Sequence, residues 1–220
     1  SRDSDDDLWR WRDSSLEGRG RVIVWDLCSG LGGWSEAFVQ LAGAEDITVF
    51  RFDNSPLVHD RPRTLNEDVT QWIDWVDSYP APDLILASPP CLEFSQGFNA
   101  PRPKAKRAGI EFHPDLTIAK SVRDIIMHVE PRWWAVENVI GSIEDLSPLY
   151  GRPRQIIGSF VLWGNFPLLP NVTIDRDSKA QNDTWSTDPL RSRKRAVVPI
   201  EISRAMLDAW YEQTDLLRWL

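Results

Sequence analysis

Apolar positions along this chain fall into short runs that stop at polar or glycine-rich turns. Residues 21–26 (RVIVWD) form one such run, ending on Asp26 and followed by glycines. That pattern predicts a buried strand feeding a tight turn. Residues 34–41 carry the helix that follows. Residues 47–53 (ITVFRFD) predict a second strand, again ending on an aspartate, and residues 72–76 a short helix. Residues 83–87 (DLILA) predict a third strand, cut off by Ser88-Pro89-Pro90. Ile118, Val122, Ile125, Ile126 and Val129 line one face of a helix. Residues 133–136 (WWAV) predict a strand ending at Glu137-Asn138, residues 156–162 one further strand, and residues 202–210 a closing helix. Alternating strands and helices predict an α/β fold, a doubly wound and mostly parallel sheet. Ligands bind such sheets at the carboxyl ends of the strands. Asp26, Asp53, Pro89-Pro90-Cys91 and Glu137-Asn138 all fall there.

Length and charge narrow the picture. A chain of 220 residues suits one domain with a sizeable core. The expected division is an arm over residues 1–20, polar with Trp9 and Trp11 as anchors, and one catalytic domain over residues 21–220. No run approaches the roughly 18 apolar residues of a membrane span. The N-terminus is acidic and unlike a secretory leader. A cytoplasmic protein without a membrane partner is expected. Two cysteines, Cys28 and Cys91, are too few for a disulfide framework and read as free thiols. The net charge of -8 argues against a general nucleic-acid binder. Positive charge is nonetheless clustered, at Arg102, Lys104, Lys106 and Arg107 and again at Arg191, Arg193, Lys194 and Arg195. These runs read either as two solvated loops or as two phosphate contacts on an acidic body.

Candidate chemistry sits at the strand ends. Asp26-Leu27-Cys28-Ser29-Gly30-Leu31-Gly32-Gly33 is a glycine-rich turn in which the backbone can approach a ligand. Its spacing is not that of the dinucleotide fingerprint. Asp53 is placed to bind ribose hydroxyls or to cap a turn. Asp68 is placed to bind an adenine amine or to cap a helix. Two prolines stiffen the turn that presents Cys91. A thiol there becomes a nucleophile if nearby donors lower its pKa. Glu137, partly buried on the adjacent strand, is expected to have a raised pKa and to act as a donor or general acid.

Taken together, DLCSGLGG, PPCLEFS and ENV resemble, in order and spacing, three motifs of the cytosine-C5 DNA methyltransferase family. The resemblance covers roughly residues 21–210. It implies a Rossmann-like class I fold dependent on S-adenosyl-L-methionine, with double-stranded DNA as partner and no metal. Cys91 would attack cytosine C6, and Glu137 would contact the ring at N3. Asn138 would fix the turn around Cys91. Asp26, Cys28, Ser29, Gly30, Leu31, Gly32, Gly33, Asp53, Asn54, Asp68, Val69, Ser88, Pro89 and Ser203 would line the cofactor site. Tyr150-Gly151-Arg152-Pro153-Arg154 loosely resembles the family's eighth motif, which implies that Arg154 holds the flipped base and Arg152 a phosphate. Residues 198–203 (VPIEIS) loosely resemble its closing motif. Residues 96–113 would form a loop that closes over the base, with Ser95, Arg102, Lys104, Lys106 and Arg107 on DNA. Arg191, Arg193 and Lys194 would add further phosphate contacts. The family's target-recognition domain is reduced here to a remnant over residues 171–190, which points to a short target site, a homodimer or a separate recognition partner. Cytosine N4 methylation, a tRNA substrate and a non-catalytic DNA-binding relative are the alternative readings.

Overall fold

The computed structural model describes residues 21–41, 47–170, 172–174 and 187–217. The expected arm and most of the expected recognition remnant lie outside them.

Seven strands form one sheet in the order β3-β2-β1-β4-β5-β7-β6. They are β1 (Val22–Leu27), β2 (Ile47–Phe52), β3 (Thr64–Leu65), β4 (Leu84–Ala87), β5 (Trp133–Val139), β6 (Gln155–Ile157) and β7 (Phe160–Gly164). β3, β2, β1, β4 and β5 pair in parallel. β7 runs antiparallel to both β5 and β6. Among the described residues there are six α-helices: α1 (Glu36–Leu41), α2 (Pro101–Ala108), α3 (Thr117–Val129), α4 (Ile143–Tyr150), α5 (Arg191–Arg195) and α6 (Ile200–Leu217). The predicted α/β sheet, mostly parallel and covered on both faces, is therefore present.

Strand periodicity decides which residues face which layer. Val24, Ile47, Val49, Leu84, Leu86 and Ala135 pack with Phe38 of α1 and with Ile202, Met206 and Trp210 of α6. The alternate residues Trp25, Leu27, Phe52, Ile85, Ala87 and Val136 pack with Val122, Ile125 and Ile126 of α3. A smaller cluster joins Leu146 of α4 to Val161 and Trp163.

Some expectations are corrected. The single strand expected over residues 156–162 is a hairpin, β6 and β7, turning at Gly158 with φ 62°. Residues 96–113, expected as a loop, contain α2, which opens with Pro101 in its first turn and closes on Gly109 in the left-handed region. That arrangement is favourable at both ends of a helix. Helix α4 was not foreseen from the pattern.

Candidate active site at the carboxyl edge of the sheet

The glycine-rich turn leaves β1 through left-handed backbone, with Cys28 at φ 56°, Gly30 at 53° and Gly32 at 82°. A Cβ at Gly32 would lie 2.3 Å from Arg51 Cζ, and one at Gly33 2.6 Å from the Val198 carbonyl oxygen. The segment leading into α6 thus closes on the turn, and side chains cannot be accommodated at either glycine. Ser203, fully buried on α6, accepts a hydrogen bond from the Ala37 amide at 3.0 Å. It fastens α6 to α1 beside the turn. Leu31 is half-buried.

Asp53, beyond β2, braces the turn from the other side. Its Oδ2 accepts from the Gly30 amide at 2.9 Å and its Oδ1 from the Ser55 amide at 2.9 Å. The Arg193 guanidinium of α5 stands 3.8 Å from the same carboxylate. Asp68 caps the 3-10 turn over Val69–Asp74, accepting from the Thr70 amide at 2.8 Å. Those Thr70 bonds hold its carboxyl below the usual range. Its other oxygen accepts from Asn54 Nδ2 at 2.9 Å. The capping role is therefore realised. Val69 is buried against Phe52 and Trp75.

Two buried hydroxyls mark a cradle. Ser29 Oγ and Ser88 Oγ have no hydrogen-bond partner among the described residues. They follow β1 and β4, neighbours whose last paired residues are Leu27 and Ala87. A buried polar group left unpaired costs about 1–3 kcal/mol. Unmet hydroxyls, an open glycine backbone and the Asp53 carboxylate fit the amino-acid and ribose ends of S-adenosyl-L-methionine.

Asp26 lies behind this cradle, fully buried. Burial pushes its carboxyl up to about 6, against the opposing pull of the Ser35 hydrogen bond and the Arg51 charge. A carboxyl raised from 3.8 to about 6 binds its proton more tightly folded than unfolded. Its contribution is thus most favourable at low pH and is lost as pH rises from 3.8 through about 6. Asp26→Asn is expected to remove this dependence. In urea melts the variant should gain about 1 kcal/mol on wild type between pH 5 and pH 7.5. Parallel pH profiles for the two proteins would refute the assignment.

Cys91 follows the Pro-Pro turn and caps the 3-10 turn Leu92–Phe94, with φ -96° and ψ 0°. Two contacts join its loop to the end of β5. Asn138, fully buried, donates from Nδ2 to the Pro89 carbonyl at 2.9 Å while its Oδ1 accepts from the Val139 amide at 2.9 Å. Gly141 lies so close to the loop that a Cβ there would sit 2.1 Å from the Phe94 carbonyl oxygen. Glu137, 6% exposed, is near enough for its charge to act on Cys91. Burial, and then the Glu137 charge, raise the thiol above its ordinary 9.0. No net lowering by nearby donors occurs, and the resting group is a thiol. Cys28 is raised as well, by burial first and then by Asp53, Asp26 and Asp68. A cavity of about 190 Å³ opens beside the loop, lined by Pro89, Pro90, Leu92, Glu93, Phe94, Asp115, Ile118 and Ala119.

The expected base- and phosphate-binding residues divide. Arg154 is not brought to Cys91. Its Nε donates to the Phe166 carbonyl at 3.0 Å, next to Asn165, whose amide bonds the Trp134 carbonyl. The Arg154 amide bonds the Leu162 carbonyl, level with Glu137 but two strands across, while its side chain shares a cavity with Trp133 at the start of β5. It lines an open cavity of about 760 Å³ with Trp133, Phe166 and Gln213. Arg152 is exposed in the α4–β6 connection. Arg102 is spent internally, paired with Asp145 of α4 and lying over the Phe112 ring. Lys104 and Lys106 are exposed on α2. Arg107 covers Phe98, its Cζ 3.9 Å from the ring centroid. Ser95 accepts from the Gly97 amide at 3.2 Å. Of the second basic run, Arg191 opens α5, Lys194 pairs with Asp188 at 2.6 Å, and Arg193 faces Asp53 at the cradle. The sequence reading missed Ser35, Arg51 and Gly141. Arg51 alone left a signal, as a charge in an otherwise apolar strand.

No protein-family model matches this sequence, and no curated protein matches it. Among solved structures it is similar to the Entamoeba histolytica methyltransferase EhMeth, with 16% identity and a TM-score of 0.51, over 70% of this chain and 55% of that one. The fold is that of the class I methyltransferases. Weaker likenesses include Spodoptera frugiperda DNMT2, at 19% identity and a TM-score of 0.36, over 59% of this chain and 41% of that one. Another is a prophage-encoded E. coli protein described as a DNA modification methyltransferase, at 22% identity and a TM-score of 0.38, over 58% of this chain and 35% of that one. The chain thus spans about half the length of the Entamoeba enzyme. Among the described residues no helix is long and apolar enough to cross a membrane, and no group of three acidic, histidine or cysteine side chains could hold a metal.

Proposed function

We propose that this protein methylates cytosine in double-stranded DNA at C5, using Cys91 as a covalent nucleophile. One observation carries the reading. The Cys91 loop and Glu137 follow adjacent parallel strands, near enough for the Glu137 charge to act on the thiol, and the loop is held by the Asn138–Pro89 bond. The class I fold supports the transfer chemistry, and residues 21–220 are taken as one catalytic domain.

C5 of cytosine is a weak nucleophile until C6 carries an adduct. The Cys91 thiol gives its proton to water, and the thiolate adds to C6. Glu137, protonated, donates to N3 and stabilises the charge that develops there. The same protonation removes the negative charge that raises the Cys91 pKa, so one event favours both steps. S-adenosyl-L-methionine, when bound, supplies the methyl group and is released as S-adenosyl-L-homocysteine. Ser29, Ser88, Asp53 and the backbone of residues 28–33 would hold it. Water then takes the C5 proton, the C6–S bond breaks, and the thiolate leaves as the aromatic ring is restored. The base must leave the helix stack for C6 to be reached.

Lys104 and Lys106 on α2, two exposed cations following the Cys91 loop, are the phosphate contacts this reading favours. Changing both to Gln is expected to weaken binding to duplex DNA and reduce the salt slope of log K by roughly 2. An unchanged slope in a fluorescence-anisotropy titration would remove α2 from the interface.

A second reading, methylation at N4, is favoured by the raised Cys91 thiol and by the remoteness of Arg154 from the site. Incubation with duplex DNA and labelled S-adenosyl-L-methionine, followed by nuclease digestion and mass spectrometry, separates the two. 5-Methylcytosine supports the proposal; N4-methylcytosine, or no methylated base, rejects it. A homodimer or a separate protein would then provide target recognition.

A further inference from the structure

We infer that Arg51 is a positioning residue for the glycine-rich turn, its buried guanidinium setting the conformation in which residues 29–33 receive a ligand. The inference rests on the cofactor reading above.

Register places Arg51 directly beside Asp26, on the face of β2 that Ile47 and Val49 bury against α1 and α6. A charge at such a position needs partners. Arg51 is 3% exposed and reaches several. Nε donates to Ser35 Oγ at 2.9 Å, and Nη2 donates to the Gly32 carbonyl at 2.8 Å and to Glu36 Oε2 at 2.9 Å. Nη1 reaches the Pro62 carbonyl at 3.5 Å. Ser35 in turn donates to Asp26 Oδ2 at 2.6 Å.

One guanidinium therefore ties together the end of β1, the glycine turn, the entry to α1 and the loop after β2. The planar fork of arginine can donate to acceptors in these several directions; a lysine ammonium reaches fewer of them. The guanidinium also fills the space next to Gly32, which is why that residue carries no side chain. The turn's other anchors are the Ser29 amide on the Phe52 carbonyl, the Gly30 amide on Asp53, the Gly32 amide on the Ser29 carbonyl and the Glu36 amide on the Gly33 carbonyl. None of these holds the Gly32 carbonyl. Arg51 does, through Nη2.

The test compares the wild-type chain with Arg51→Met and Arg51→Lys. Amide hydrogen exchange is measured on the free proteins, and S-adenosyl-L-homocysteine is titrated by calorimetry. Arg51→Met is expected to speed exchange at Gly30 and Gly32 about tenfold and to weaken binding by about the same factor. Amides of β4 and α3 keep wild-type rates. Arg51→Lys is expected to recover binding to within about threefold of wild type, because it retains the charge and part of the bonding. Wild-type exchange at Gly30 and Gly32 in Arg51→Met overturns the inference. So does a loss of protection spread evenly through β4 and α3, which marks a general brace of the fold. A wild type that binds no S-adenosyl-L-homocysteine defeats the cofactor reading, and the exchange data then decide by themselves whether Arg51 holds the turn.

Discussion

Cys91→Ala is expected to abolish methyl transfer, lowering the rate by at least about a thousandfold, while leaving S-adenosyl-L-homocysteine binding unchanged. The side chain is not part of the glycine cradle, so its loss removes the nucleophile alone. Duplex DNA containing 5-fluorocytosine provides the matching positive result. Fluorine at C5 blocks the last elimination, so wild type is expected to remain covalently attached through Cys91 and the alanine variant to be released. The raised thiol adds a second signature. Because the resting group is protonated, alkylation of Cys91 by iodoacetamide should rise about tenfold per pH unit near neutrality. Glu137→Gln removes the nearby charge, the second cause of the raised pKa. That variant should therefore be alkylated faster at pH 7.5 yet methylate DNA more slowly. Peptide mapping assigns the label to Cys91 rather than Cys28. A Cys91→Ala protein that retains wild-type activity would end the covalent mechanism.

The second large effect is expected at residues that never touch the base. Gly141→Ala forces its new Cβ to within 2.1 Å of the Phe94 carbonyl, so one of the two loops must shift. A displacement of this kind costs on the order of a hundredfold in rate when reacting groups must be held in line. Turnover should fall by about that factor, with affinity for S-adenosyl-L-homocysteine preserved. Asn138→Ala acts on the same junction by a different route. It strands the Pro89 carbonyl in the interior and is expected to cost about 1–3 kcal/mol of stability as well as turnover. Steady-state rates with cofactor binding measured in parallel distinguish this from general unfolding. If both variants turn over at the wild-type rate, the two loops do not need each other for catalysis.

Much of the fold was legible because strand signals here are short apolar runs bounded by strong breakers. Ser88-Pro89-Pro90 and the glycines after Asp26 mark strand ends regardless of what packs around them. The hairpin of β6 and β7 was not legible, because the run over residues 156–162 stays apolar through its turn. Gly158 and Ser159 are a weak break among isoleucines and phenylalanine. Helix α2 was hidden for the opposite reason: it buries no residue, so it has no apolar stripe to betray it. Within the site, the sequence marked Cys91, Glu137 and Asn138 through their places at strand ends. It did not show the internal partners of the basic residues. Arg102 and Arg154 look like their neighbours in a string of letters, and only the fold shows their distant partners, Asp145 and the Phe166 carbonyl.

Sequence alone determined which residues stand at strand ends, because backbone breakers and a two-residue side-chain period are local properties. Tertiary structure alone decided the pairings across the chain: Asp26 with Arg51, Asn138 with Pro89, Gly141 with Phe94. These depend on strand order and on loop approach, which no local pattern encodes. It also decided the sign of the Cys91 shift, since burial and a neighbouring charge are set by what the fold brings near the sulfur.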